Sequence, residues 1–235
     1  MQVCTYSEYT FSGVNDALKA FKNMGLGGNV FGAAKGLETV KPMGTGSGNG
    51  FSIVPDFRRF VFFAVWESRV DADRFFAESE LINDYSRRSI RALHVLLRPV
   101  KAHGQWGGKE PLRPQIPSEK DGAVAVLTRA TIKTRHLPEF WMNVPDVSKF
   151  MADAPGVLHN LGVGEYPLFM QATFSIWESN KALNAAAYGN TAHADVVRKT
   201  RQRGWYAEEM FSRFEVVDIV TKGNAFEDIS SAVLH

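Results

Sequence analysis

Hydrophobic and polar positions along the chain fall into a short series of segments that occurs twice in the same order. CTYSEYTF, from residue 4, alternates as a half-buried strand does. VNDALKAFKNMG follows with helical character, and the glycine-bounded run GLETVKPMGTG reads as a second strand. A third apolar run, Phe60 to Val65, ends at Trp66-Glu67-Ser68 and leads into the helical segment VDADRFFAES and an Arg-rich helix. SIRALHVLLRPVKA then reads as a helix end running into a strand.

The second series begins with AVAVLTRATIK, LPEFWMNVPDVSKFMAD and GVLHNLGVGEY, again strand, helix and strand. Its third strand, Ala172 to Ile176, ends at Trp177-Glu178-Ser179, so Trp-Glu-Ser recurs 111 residues after its first occurrence. NKALNAAAYGN and a second Arg-rich helix follow, and EEMFSRFEVVDIV reads as another helix end entering a strand. Element order, segment length and Trp position agree together, which argues for duplication over a chance tripeptide match.

Each series has the strand-helix-strand-strand-helix-strand order of a ferredoxin-like unit. The expected fold is therefore α+β, a tandem duplication of ferredoxin-like units. Residues 1–103 form the first unit, the Gly- and Pro-rich stretch 104–122 the linker, 123–220 the second unit and 221–235 a polar tail. Two such sheets can bury their open faces against each other as a barrel, with a ligand expected in the space between them.

Composition narrows the function classes. At 235 residues and 45% hydrophobic content the chain can build a real core, and its net charge of +2 gives no clustered basic face for nucleic acid. A single cysteine, Cys4, excludes an intrachain disulfide and a Cys-based metal cluster, pointing to a reducing, cytoplasmic compartment. The alternating N-terminus does not read as a signal peptide, and no apolar run approaches a bilayer span.

Laying one half on the other by the 111-residue offset sets His193 opposite Ile82. His193, Val196, Val197 and Thr200 mark one helical stripe, while Arg198, Lys199, Arg201 and Arg203 fall mostly elsewhere, so the imidazole is aimed inward. An inward neutral imidazole suits an axial haem ligand; equally, it suits a core histidine bonded to a carbonyl, which the pattern alone favours. His159 is the other histidine expected near an inter-sheet cavity; His94 falls in a strand, His103 near the linker, His136 at a helix start and His235 at the terminus. No histidine pair has metal-ligand spacing.

Gly44-Thr45-Gly46-Ser47-Gly48-Asn49-Gly50 lacks the Gly-Lys-Ser/Thr ending of a phosphate loop and reads as a surface hairpin, a lid or a close-approach loop. No Gly-x-Ser-x-Gly elbow or Cys/His pairing supports nucleophilic hydrolysis. Glu208 and Glu209, beside Arg213 in an expected helix end, read as solvated.

The runs KPMGTGSGNGFSIVPD, TRATI, TFSIW and AHADVVRKTRQRGWYAEEMFSRF, in that order, resemble spheroidene monooxygenase, the carotenoid ketolase family of purple bacteria. The last run is the most specific. The resemblance implies an oxidoreductase on a dimeric-α/β-barrel-like fold within one chain. It further implies haem b, and oxygen insertion at a terminal carbon of an acyclic carotenoid such as spheroidene, giving a ketone by two successive hydroxylations with O2 and reduced ferredoxin. On this likeness His193 is the candidate proximal haem ligand, with Trp205 and Arg213 beside it in the motif and the Gly44 to Gly50 loop as a cavity cover. Arg129, Ser175 and Trp177, on strands of the second unit, are candidates for facing the haem, strand alternation allowing only one of Ser175 and its neighbours inward.

An elongated apolar substrate implies access from a membrane surface, with the protein peripheral to the inner membrane and marked by exposed aromatic patches, and a homo-oligomer is compatible with the fold. Asn49 stands where the family leads one to expect an acidic residue, which leaves the substrate open. Three other readings remain: a haem-dependent dehydratase of the aldoxime type, a non-catalytic haem-binding protein, and a cofactor-free barrel for a small apolar ligand.

Overall fold

The repeated tripeptide is the hinge on which each half is built, and its three residues do three separate jobs. In a computed structural model, which describes residues 1–25, 31, 34–48, 50, 52–119, 121–166, 168–188, 200, 202–223, 226, 229 and 231, both tryptophans are fully buried. The amide N–H of Glu67 donates to the carbonyl of Gly36, and that of Glu178 to Gly156. Gly36 and Gly156 have φ of 74° and 79°, and a Cβ on either would collide with the following helix, at Asp71 or Ala182, so glycine is required. The serine then caps that helix: Ser68 Oγ accepts from Asp71 N–H and Ser179 Oγ from Ala182 N–H.

Eight strands close into one antiparallel barrel. They are β1 (Val3–Thr10), β2 (Leu37–Gly46), β3 (Pro55–Trp66), β4 (Arg91–Gly104), β5 (Val124–Ile132), β6 (Val157–Tyr166), β7 (Met170–Trp177) and β8 (Tyr206–Lys222). Around the barrel the order is β1-β3-β2-β6-β7-β5-β8-β4, so each half contributes a ferredoxin-like sheet. The helices are α1 (Val14–Gly25), α2 (Arg69–Glu78), α3 (Glu80–Arg88), α4 (Leu137–Ala152) and α5 (Asn180–Tyr188).

Strand register fixes the equivalence of the halves residue by residue. Trp66 pairs with Val3 and Leu37, and Trp177 with Val124 and Val157, with a bulge at the same place in β2 and β6. The halves meet along two seams. β4 and β8 pair from Ala92–Lys222 to Gly104–Met210, whereas β2 and β6 pair only at Gly44–Gly164 and Thr45–Val163. Arg98 faces Glu215 in the first seam and Gly44 faces Gly164 in the second, and both are pairs of equivalent positions, so a pseudo-two-fold axis crosses the barrel through them.

The tail of the second unit departs from expectation. EEMFSRFEVVDIV is strand throughout, because Met210, Ser212 and Phe214 are buried toward the barrel while Phe211, Arg213 and Glu215 alternate outward. Period two governs the whole segment, including the part expected to be a helix end.

The barrel interior, expected to hold a ligand, is instead a packed core. Tyr6 and Phe174 stack across it with ring centroids 3.7 Å apart, and Phe63 packs against Trp106 and Phe214. Cys4, Val61, Val95, Leu127, Leu161 and Ile176 fill the space around them. Large aromatic side chains at alternate inward positions occupy it.

Candidate functional site

With the interior filled, the outer faces of the two sheets become the places to compare. The first half carries a continuous layer: Tyr9, Phe60 and Phe62 pack against Ala17 and Ala20 of α1 and Leu81, Ile82 and Tyr85 of α3, and Trp66 packs under α2. These two clusters share Leu37, Val40, Phe75 and Phe76. The equivalent outward positions of the second half are different. Tyr9 becomes Ala130, Phe60 becomes Gln171, Phe62 becomes Thr173, Val40 becomes Asn160 and Pro42 becomes Gly162. Aromatic bulk in one half is replaced by small and polar side chains in the other.

The packing follows. In the second half α5 rests on Val124, Val126 and Trp177, while Phe140 and Trp205 rest on Ile132, and these are two separate clusters. Between them Thr173 is half-buried and Thr128 exposed, where their counterparts Phe62 and Ser7 are buried. This stretch of the second sheet's outer face, Thr128, Ala130, Asn160, Gly162, Thr173 and Ser175, is the candidate recess, in which Ala130, Gly162 and Ser175 are themselves buried. Small side chains with a few polar groups are the kind of lining that takes a small ligand.

Sequence-derived candidates distribute around this recess. Ser175 lies on its floor, its Oγ accepting from Trp177 Nε1 at 2.9 Å, and Trp177 is buried beneath α5 at one rim. Trp205 is at the other rim, 1% exposed, its indole N–H without a hydrogen-bond partner among the described residues. Arg213 sits outside β8, donating to Asn180 and Asn184 at the start of α5. His193 falls in 189–199, between α5 and Thr200, and lies outside the described residues. The stretch from Trp177 to Glu215 is six residues longer than that from Trp66 to Arg98, so its equivalence to Ile82 rests on that same segment.

Arg129 is on the other side of the sheet, buried inside one end of the barrel. It pairs with Glu208 and lies 3.9 Å from Glu165, which accepts from Trp106 Nε1 and pairs with Lys41 at 3.5 Å. Glu208 is not a solvated helix residue: it closes this barrel end, accepting from the amides of Gly107 and Gly108. Burial raises its carboxyl, but those amides and the Arg129 guanidinium outweigh it and hold the group below the usual range.

At the opposite end stands the equivalent of Arg129, Glu8. This buried carboxylate accepts from Tyr6 Oη at 3.1 Å, with His159 Nε2 3.1 Å and Arg59 3.9 Å away. Burial pushes its carboxyl up; His159 and Arg59 more than reverse this and lower it. His159 is thus inside the barrel, its Nε2 beside the Glu8 carboxylate. His94 lies outside, 2.8 Å from Ser7 Oγ and tilted against the Phe76 ring, and burial depresses it to about 4. Gly50 makes a close approach to Gly162, whose carbonyl a Cβ would strike; Asn49 of that loop is outside the described residues. Among the described residues no group of three or more His, Cys, Asp and Glu could hold a metal ion.

The recess was missed by sequence reasoning. The 111-residue offset holds for β3 and β7, where Phe62 matches Thr173 and Phe60 matches Gln171, whereas Tyr9 and Ala130 are 121 apart and Val40 and Asn160 are 120 apart, so the full set of exchanges emerges only from strand register.

The chain is 30% identical to a spheroidene monooxygenase of Rhodobacter capsulatus over 236 residues, covering 100% of this chain and 98% of that protein. It belongs to the spheroidene monooxygenase family. A Rubrivivax gelatinosus member is 35% identical over 193 residues, 81% of this chain and 74% of its own length. A Cereibacter sphaeroides member is 32% identical over 194 residues, 82% and 60% respectively. No protein-family model matches the chain. Family membership makes it a monooxygenase, an oxidoreductase.

The same architecture occurs in a crystal structure of aldoxime dehydratase (TM-score 0.66, 14% identity, 94% of this chain and 83% of that one). A second, in complex with butyraldoxime, gives 0.68 at 10% identity, covering 98% and 85%. For this spheroidene monooxygenase relative they establish the dimeric-α/β-barrel fold in one chain.

Proposed function

We propose that this monooxygenase binds haem b in the recess of the second half and oxidises a methylene carbon at the end of an acyclic carotenoid such as spheroidene to a ketone. The observation that carries the reading is the exchange of Tyr9, Phe60 and Phe62 for Ala130, Gln171 and Thr173, which opens one sheet face and not the other. The residues present fit a flat ligand with polar edges. The floor is of small side chains, and the buried Trp205 indole N–H has no other partner among the described residues.

His193, from the segment joining α5 to β8, would hold the iron. Haem supplies the activation of O2 when bound; the chain's residues position the substrate and keep water out. Each insertion consumes one O2, two electrons and two protons, places one oxygen atom in a C–H bond and releases the other as water. A second insertion at the same carbon gives a geminal diol, which loses water to leave the ketone. Reduced ferredoxin supplies the electrons.

The substrate is lipid-dissolved, and the reading includes contact with an anionic membrane surface. Val14, Leu18 and Phe21 expose one face of α1, and Phe57, whose ring is 6.2 Å from Phe21, is 59% exposed beside them. Lys19 and Lys22 on the same helix suit such a surface. No helix among the described residues is long and apolar enough to cross a membrane.

The test is a visible spectrum of the purified protein reconstituted with haemin, against His193→Ala. A Soret band in wild type, shifted or lost in the variant, is expected. No band in wild type overturns the haem reading; an unchanged band in the variant overturns only the ligand assignment. The likeness to aldoxime dehydratase favours a second reading, dehydration of a small nitrogen compound, which requires no ferredoxin.

A further inference from the structure

Asn160 stands on β6 where Val40 stands on β2, each outward, one opposite Ser175 and the other opposite Ala64. Val40 packs into the apolar layer under the first-half helices. The Asn160 carboxamide has no such fate. Its Nδ2 and Oδ1 are both shielded from solvent, and neither has a hydrogen-bond partner among the described residues. A buried amide lacking both its donor and acceptor bonds lowers the stability of a fold, and it is tolerated where something else satisfies it.

Its neighbours point to a ligand. Ser175 Oγ is engaged by Trp177, and Gly162, two residues along β6, has no side chain to offer. The amide therefore lies on the floor of the recess with its hydrogen-bonding capacity free. We propose that Asn160 is a ligand-binding residue of this recess, donating a hydrogen bond from Nδ2 to an oxygen-bearing or diatomic ligand on the sheet side of the bound group. The proposal rests on the haem reading. It assigns the floor of the recess to small polar ligands.

Asn160→Val installs the residue of the equivalent first-half position. Without haemin the variant melts higher, by roughly 2–4 °C, because an unpaired buried amide is removed. With haemin, cyanide affinity falls roughly 5–10-fold through loss of one hydrogen bond, and the C–O stretch of the ferrous carbonyl complex moves to higher frequency. Asn160→Ala shows the same ligand effects, so the proposal stays testable if the valine is misaccommodated. If both variants keep the wild-type cyanide affinity and C–O frequency, the role of Asn160 is overturned while the haem reading stands. A wild type that shows no Soret band overturns the haem reading itself, and this assignment with it.

Discussion

Arg98 and Glu215 occupy equivalent positions in the two halves of the chain, and they form an ion pair with each other across the β4–β8 seam. Only a residue on the pseudo-two-fold axis can meet its own counterpart. In an ancestral symmetric dimer this point would set like against like; in the fused chain it carries opposite charges. Glu215 also accepts from the amide of Ser118, tying the connection between the halves to the same point. Charge reversal at either position alone, Arg98→Glu or Glu215→Arg, should cost about 1–2 kcal/mol in urea unfolding. The double reversal should recover at least half of the summed loss.

Acid sensitivity should be traceable to His94. Its folded-state value near 4 lies below the unfolded 6.5, so the unfolded chain binds more protons between these values. Its contribution is complete above about pH 6.5 and is lost as pH falls toward 4. His94→Phe, the residue of the equivalent position Phe211, should remove about 2 kcal/mol of the stability lost between pH 7.5 and 5. Urea midpoints of both proteins at the two pH values measure this. Equal losses in both would refute the assignment.

Glu8 makes the opposite end of the barrel dependent on an ionised carboxylate. Because its folded value is lowered, its contribution is present above the normal carboxylate range and disappears as pH falls through the folded value. Glu8→Gln should cost about 2–4 kcal/mol by stranding Arg59 and His159. The variant should unfold at lower urea with an unchanged slope.

Surface contact should depend on the exposed face of α1. Phe21→Glu with Phe57→Glu should leave the melting temperature within a degree or two and abolish sedimentation with vesicles containing anionic lipid. Retained sedimentation would remove this face from the account.

Much of the architecture was legible in the sequence because the duplication repeats its local chemistry. Trp66 and Trp177, each followed by a capping serine, mark the same strand end and helix start twice. What was not legible depended on side-chain direction. The inward run Met210, Ser212, Phe214 and the outward run Phe211, Arg213, Glu215 share one segment, and short charged stretches of that kind satisfy helix and strand patterns alike. Glu208 looked solvated because Arg129 and the amides of Gly107 and Gly108 come from distant parts of the chain. The recess was hidden for a related reason: Thr173, Gln171 and Ala130 are unremarkable residues until their equivalents Phe62, Phe60 and Tyr9 are seen to face the first-half helices.

A haemin titration followed by the Soret band in two mirror variants tests most directly whether the second-half recess holds the haem. Thr173→Phe refills the recess with the first-half residue, and should abolish the band while circular dichroism and melting stay close to wild type. Phe62→Thr empties the first-half layer, and should lower stability by about 3 kcal/mol while leaving haemin affinity unchanged. Haemin binding by Thr173→Phe with wild-type affinity would contradict the account.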